Sequence, residues 1–356
     1  MIGRKSYNVV KSSFVPPGLK DVAARAGVSI KTVSNVVNGY VHVAPPTRAR
    51  VQAAIDALGY VPNLAARRLR SGRSGVIALA VPELRSPYFA ELAGRIVQAA
   101  ERRSWTVLID LTDGSPERER SLAAGLRRHA VDGLILSPRA PAGQEPALRT
   151  DIPVVLLGGR VGAGRADHVA VDDTAGAADA TRHVAELGRR RIAVIGVPGA
   201  PSAVPARQRL AGYRAALDRA GLPRDPALEV SVDNFHRADG AAAMTRLLDS
   251  GARPDAVFCC TDLLALGAIR TLLCRGVAVP GDVAVIGFDD IEDGRFSTPT
   301  LSTIAPDSAR IAQLAVELLA ERLGGGSGAA GSPRELRVDH RLVVRESTAD
   351  GRPAAG

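Results

Sequence analysis

Cysteine is scarce in this 356-residue chain, with three copies, and Cys259, Cys260 and Cys274 show neither the spacing of a disulfide framework nor that of a metal site. The adjacent Cys259 and Cys260 lie inside an apolar run and read as small core residues. No stretch approaches the roughly 18 apolar residues that span a bilayer. The N-terminus also lacks an apolar segment followed by a small-residue cleavage site. These absences predict a reduced, cytoplasmic protein with no membrane partner. Catalytic signatures are missing as well: there is no G-x-x-x-x-G-K-[ST], no strand-linked G-x-G-x-x-G and no G-x-S-x-G. The few histidines, such as His129, His168 and His183, fall on presumed helix or loop surfaces. Neither an enzyme, a cofactor nor a metal site is expected.

What is present is enough apolar residue, 46% of the chain, to build at least one large core and two or three globular units. Charge is unevenly placed. Residues 1 to 73 hold 12 Lys+Arg against 2 Asp+Glu, and the remainder is nearly balanced at 34 against 35. A short segment with that excess suits a polyanion, because each neutralised phosphate releases condensed counterions.

The basic segment is patterned. Leu19, Val22, Ala23 and Ala26 fall on one helical face, ended by Gly27. Ser29 can cap a second helix whose buried stripe is Val33, Val36 and Val37, which leaves Ile30, Lys31, Ser34 and Asn35 pointing outward. Two short helices with a tight turn at Ala26 to Ser29 make a helix-turn-helix, and the outward set is its major-groove face. A third helix is marked by Val51, Ile55 and Leu58 before Gly59, with Pro45 in its first turn. Thr32 and Arg48 can reach phosphate.

The wording from Leu19, Lys20, Asp21 and Val22 through Gly27, Val28 and Ser29, followed by Thr32 to Gly39, resembles the headpiece of the lactose-repressor and purine-repressor family of bacterial transcription regulators. The likeness continues through Thr47 and Arg48 and through Leu58 to Asn63. It implies an all-α helix-turn-helix headpiece at 18–61 and base reading by Ile30, Lys31 and Asn35. Asn can bond adenine bidentately, Lys can donate to guanine, and Ile can touch a thymine methyl. Residues 62–74 would be the hinge helix and linker, with Leu69 matching the minor-groove wedge and Arg67 and Arg68 as phosphate contacts. Residues 1–17 read as a disordered basic extension.

From Val76 the pattern becomes short β-branched runs alternating with amphipathic stretches, which argues for parallel sheets covered on both faces. Strands are expected at Val76 to Val81, Thr106 to Asp110, Gly133 to Ser137, Pro153 to Leu157, Arg191 to Ile195, Ala256 to Cys260 and Val283 to Phe288. The layout resembles the periplasmic-binding-protein-like core of the same family: two doubly wound parallel-sheet α/β subdomains with ligand in the cleft between them. The expected division is 75–173 with 304–323 for the first subdomain, 174–303 with 332–347 for the second, and a tail at 348–356. Positions matching the family's effector contacts are Tyr88, Phe89, Arg209, Phe235 and Asp289. Tyr88 and Phe89 could equally pack in the core, and Arg209 and Asp289 could simply pair with each other. Asp172 is a further candidate, an acid that could equally cap the following helix.

The chain departs from the family pattern at Thr261, where many members have Asn, at Ala44, which replaces a hydroxyl cap, and in a Gly-rich run at Gly324 to Gly331. With no leucine heptad after Arg345, a homodimer is expected. The expected function is a regulator, most simply a repressor, binding a pseudo-palindromic double-stranded DNA operator under control of a small-molecule effector such as a sugar. A free-standing sugar-binding protein is the alternative, but it would not carry a basic reading head.

Overall fold

The apolar spacing of the N-terminal segment produces helices α1 (Leu19–Ala26), α2 (Ile30–Val37) and α3 (Pro45–Leu58). Val22, Val33 and Val51, one from each, are fully buried against one another in the headpiece core. Gly27 ends α1 at φ +62, and the following Val28 N–H donates back to the Ala23 carbonyl at 3.1 Å, so the turn into α2 is closed by the chain itself. The computed structural model describes residues 17–37, 40, 42–60, 73–125, 131–138, 152–158, 166–199, 204–324 and 332–349. The hinge candidates Arg67, Arg68 and Leu69, most of the 1–17 extension, His129, most of the Gly-rich run and most of the tail lie outside these. The chain divides into two compact units between Arg73 and Ser74.

A core this small leaves little reserve of stability, so the ends of its helices matter. Ala44 occupies the N-cap of α3 and makes no side-chain hydrogen bond there. Replacing it with serine supplies an acceptor for an orphan N–H, and A44S is expected to stabilise the headpiece by about 1 kcal/mol. Thermal unfolding of the isolated transition, followed by far-ultraviolet circular dichroism, measures this.

The larger unit contains β1 (Val76–Val81), α4 (Pro87–Glu101), β2 (Thr106–Leu111), α5 (Pro116–Gly125), β3 (Gly133–Leu136), β4 (Val154–Leu157) and β5 (Asp167–Val171). It continues through α6 (Asp173–Glu186), β6 (Ile192–Pro198), α7 (Val204–Arg219), β7 (Glu229–Val232), α8 (Arg237–Asp249), β8 (Ala256–Cys259), α9 (Asp262–Cys274) and β9 (Ala284–Phe288). It closes with α10 (Glu292–Arg295), β10 (Ser302–Pro306), α11 (Ser308–Gly324), β11 (Glu335–Val338) and β12 (His340–Val343). The first sheet has the order β11-β5-β4-β3-β1-β2 and the second β12-β10-β9-β8-β6-β7. Every pairing is parallel except that of β10 with β12.

Inner strands such as β3, β4, β8 and β9 are buried along their whole length, as strands covered on both faces must be. On the first sheet, Leu92 and Ile96 of α4 and Ile311, Ala315 and Leu319 of α11 pack over Leu79 and Ile135. The second sheet is covered by α6 to α9, and Tyr213 of α7 is anchored by its hydroxyl to the Ile192 carbonyl at 2.7 Å. Edge strand β2 differs, leaving Leu108, Ile109 and Leu111 between 39% and 49% exposed.

The chain crosses between the lobes after β5, after β10 and between β11 and β12. This corrects the expected division near the C-terminus. Residues 304–306, expected in the first subdomain, continue β10 in the second sheet, whereas 335–338, expected in the second, pair with β5 in the first. Of the presumed surface histidines, His168 is buried in β5 with Nε2 at 2.5 Å from the Gly158 carbonyl oxygen, and His183 is half-buried and bonds Thr348 at 2.9 Å.

Candidate functional sites

In the headpiece, packing of Val33 and Val36 turns the opposite side of α2 to solvent. Ile30 is 42% exposed, Lys31 is exposed, and Ser34 and Asn35 are half-buried beside them on the same face. The Ser29 hydroxyl accepts the Thr32 N–H at 3.1 Å and lies 2.9 Å from the Thr32 hydroxyl, so Thr32 is tied into the first turn of the reading helix. Arg48, expected at phosphate, donates one nitrogen to the Tyr40 carbonyl at 2.7 Å. That bond holds the guanidinium beside the α2–α3 connection through one of its five N–H donors.

In the larger unit, Tyr88 and Phe89, Arg209, Phe235 and Asp289 converge on one cavity of about 150 Å³ between the lobes. Tyr88 and Phe89 stand in the first turn of α4, after β1, in an edge-to-face contact at 5.3 Å. They line the cleft and pack on the first lobe's core at once, so the two readings of these aromatics coexist. Arg209 is brought in by α7, which approaches α6 very closely: a Cβ at Gly212 would lie 2.1 Å from the Thr174 carbonyl oxygen.

Arg209 Nε donates to Asp173 Oδ1 at 2.8 Å, Nη1 donates to the Cys260 carbonyl and stands 3.5 Å from Asp289 Oδ1, and the guanidinium carbon lies 3.6 Å from the centre of the Phe288 ring. Burial opposes its charge, but Asp173 and Asp289 outweigh burial and hold the guanidinium above its ordinary pKa. Burial also raises the carboxyl pKa of Asp289 and of Asp173, with Arg209 opposing the rise in both. Two acids thus share one cation in a low-dielectric cleft. This arrangement offers acceptor oxygens and a guanidinium edge to a ligand's hydroxyls, beside aromatic walls. Burial, then Asp289, holds the Tyr88 phenol above its usual pKa, so it remains a neutral donor.

Asp289 has φ +119 and Asp290 φ +54, a left-handed pair outside glycine that costs about 1 to 3 kcal/mol per residue and persists only where the surroundings impose it. Just before them, Gly287 is required because a Cβ would stand 2.1 Å from Asp262 Oδ1. Asp262 is fully buried, accepts from the Thr303 hydroxyl at 2.7 Å and the Ile291 N–H at 3.0 Å, and has its pKa pushed up by burial to about 7. A carboxyl raised above its unfolded value of about 3.9 contributes stability that is complete below that value and is lost as pH rises toward 7. Wild-type stability relative to D262N, an isostere of the protonated acid, is expected to fall by up to about 1.4 kcal/mol per pH unit across that window. Denaturant unfolding at pH 5, 6, 7 and 8 reads the difference, and parallel curves would refute the assignment.

Asp172 is corrected. It caps α6, accepting the Ala175 N–H at 2.9 Å, and pairs with Arg337 at 3.1 Å, while its neighbour Asp173 enters the cleft. Residue type could not separate two adjacent acids at a strand end; only the point at which the helix begins does. Glu83, which lines the cavity and lies 3.4 Å from His236 Nε2, carried no sequence signal. Thr261 both lines the cleft and caps α9, accepting the Leu264 N–H at 3.3 Å. Burial raises the Cys260 thiol to about 12, so it is no nucleophile. Among the described residues no group of three or more His, Cys, Asp or Glu could hold a metal, and no helix is long and apolar enough to cross a membrane.

Residues 18–63 match the family model described as bacterial regulatory proteins, lacI family, and residues 181–348 match a periplasmic binding protein-like domain. The HTH-type transcriptional regulator CelR of Thermobifida fusca is 36% identical over 93% of this chain and 98% of its own length. The ribose operon repressor of Haemophilus influenzae is 32% identical over 92% and 98% respectively. Among solved structures, the lac repressor dimer bound to operator and the anti-inducer ONPF aligns with a TM-score of 0.82 at 30% identity, covering 94% of this chain and 99% of that one. A CelR–cellobiose complex aligns with a TM-score of 0.70 at 34% identity, covering 93% and 99%.

Proposed function

The chain belongs to the lacI family of bacterial regulatory proteins, and we infer that it is a transcriptional repressor whose hold on an operator is set by a sugar or related metabolite bound in the cleft. It is a DNA-binding regulator and not an enzyme, as are its relatives. The observation that carries the reading is the presence on one chain of a solvent-facing recognition helix and a polar, aromatic-walled cleft. A free-standing binding protein has no use for that helix.

On this reading Ile30, Lys31, Ser34 and Asn35 meet base edges in the major groove, while Thr32, Arg48, Arg67 and Arg68 meet phosphates. Leu69 wedges the minor groove at the centre of a pseudo-palindromic site, where unstacking is offset by a closer wrap. Two copies pair through their cores; the apolar exposed edge at Leu108, Ile109 and Leu111 supports this, since unpaired edges invite pairing. The dimer acts in the cytoplasm, where its DNA lies. In the cleft, Asp289 and Arg209 bond ligand hydroxyls and Phe235, Tyr88 and Phe89 pack against the ring, an arrangement consistent with the cellobiose bound by the CelR relative.

Gel-shift titrations at several salt concentrations test the DNA-binding half. Specific DNA should form a complex that weakens steeply as salt rises, and L69A should lower specific affinity and reduce the bend measured by circular permutation. Equal affinity for specific and random DNA would refute the regulator reading, and an unchanged bend would refute the wedge.

A further inference from the structure

Beyond the cleft itself, the turn that carries Asp289 is held by a cluster of side chains outside those that line the cavity. Four successive residues are tethered. The Asp289 N–H donates to the Ile304 carbonyl at 2.8 Å and the Ile291 N–H to Asp262 at 3.0 Å. Between them, the Asp290 N–H stands 3.4 Å from the Thr303 hydroxyl, and the Asp290 carboxylate receives Arg345 Nη2 at 2.6 Å and Arg295 Nη2 at 3.1 Å, with Arg341 at 3.8 Å. Glu292 completes the run through its N–H to Glu91 Oε1 of α4, at 3.2 Å across the lobes.

Of the three arginines, Arg345 is the least exposed, at 17% of its side chain against 50% for Arg295 and 73% for Arg341. It is also fixed at its other end, donating Nη1 to the Leu301 carbonyl at 2.7 Å and its backbone N–H to the Ser302 hydroxyl at 2.7 Å. Arg345 follows β12, the strand entered directly from the last crossing between the lobes. A left-handed conformation at two successive non-glycine residues relaxes unless something external holds it. The charge-assisted bond from the half-buried Arg345 to the buried Asp290 carboxylate, at 2.6 Å, is the strongest such hold on this turn.

We infer that Arg345, acting through Asp290, is a positioning residue for the effector site: it locks the turn in which Asp289 is aimed at Arg209, and it ties that aim to the segment leaving the last interlobe crossing. Movement at the crossing is thereby transmitted to the ligand-bonding carboxylate. The inference deepens the cleft reading and rests on it.

The test is a pair of full-length variants, R345M and R345K, each crystallised without ligand and each followed in thermal unfolding. In R345M, Asp289 is expected to leave its left-handed conformation and lose Arg209. Lysine keeps a charge for Asp290 but cannot also reach Leu301 with a second planar donor, so R345K should retain the Asp289 position even where its melting temperature falls. If R345M does not fold, D290N is crystallised in its place, with the same loss expected. Asp289 unmoved in R345M or D290N, or equally displaced in R345K, would overturn the assignment and leave Arg345 a staple of the C-terminal segment. Because Asp289 is located without any ligand, a cleft that binds no sugar would show separately, as a sugar panel without effect beside a displaced Asp289.

Discussion

R209M is expected to lose the response to effector while keeping operator binding, and to destabilise the larger unit by about 3 to 5 kcal/mol near neutral pH, because Asp173 and Asp289 are left buried without their cation. Both carboxyls already have raised pKa values from burial, and removing Arg209, which opposes the rise, lifts them further. Groups raised in the folded state contribute stability that is complete below the unfolded carboxyl value of about 3.9 and is lost as pH rises through the folded value. The deficit of R209M should therefore shrink on acidification, as each acid takes a proton. Urea unfolding of wild type and R209M between pH 5 and 8 measures it; a deficit that grows as pH falls would mean the acids are not the source. Methionine keeps the side chain's apolar length against Phe288, so lost packing contributes less than it would in an alanine variant.

N35A and K31A are expected to weaken binding to the specific site by about 1 to 3 kcal/mol for each half-site contacted, and to relax sequence preference there, while binding to random DNA changes little. Neither residue supports the headpiece core, which is built from Val22, Val33 and Val51, so both variants should remain folded. Anisotropy titrations against specific and random DNA at one salt concentration separate the outcomes. Equal loss on both DNAs would assign these side chains to phosphate. K31A is the more exacting of the pair, since a lysine can serve either role.

Where one physical pattern dominates a segment, the sequence was legible. Inner parallel strands must be apolar on both faces, and β1, β3, β8 and β9 stand out for that reason. The headpiece was legible in its helices because a 3.6-residue period, a capping serine and a left-handed glycine agree over a short span. Strand β5 was not. It opens with Asp167 and His168, and a buried acid is tolerable there because two nitrogens of Arg322 each meet Asp167 at 2.8 Å and the Arg334 N–H donates to it at 2.8 Å. That partner lies 155 positions away in the sequence, beyond any local pattern. Strand β10 hides likewise behind buried Ser302 and Thr303, whose hydroxyls bond the C-terminal segment and Asp262.

In the cleft, Arg209 and Asp289 were visible through the family wording around Gly212, where the Thr174 carbonyl leaves no room for a Cβ, and Gly287, where the Asp262 carboxylate leaves none. Asp173 was hidden because its neighbour Asp172 has the same chemistry, and the choice between cap and cleft depends on the exact residue at which α6 begins. Arg345 had no local signal, since its role exists only through Asp290, 55 positions earlier.

The most direct test of the account is equilibrium binding of the full-length protein to DNA from immediately upstream of its own gene, with and without a panel of sugars and purines. The account predicts a sequence-specific, salt-sensitive complex whose affinity one compound shifts in wild type but not in R209M. A folded dimer with no specific complex on any upstream fragment, or a compound acting equally on wild type and R209M, would contradict it.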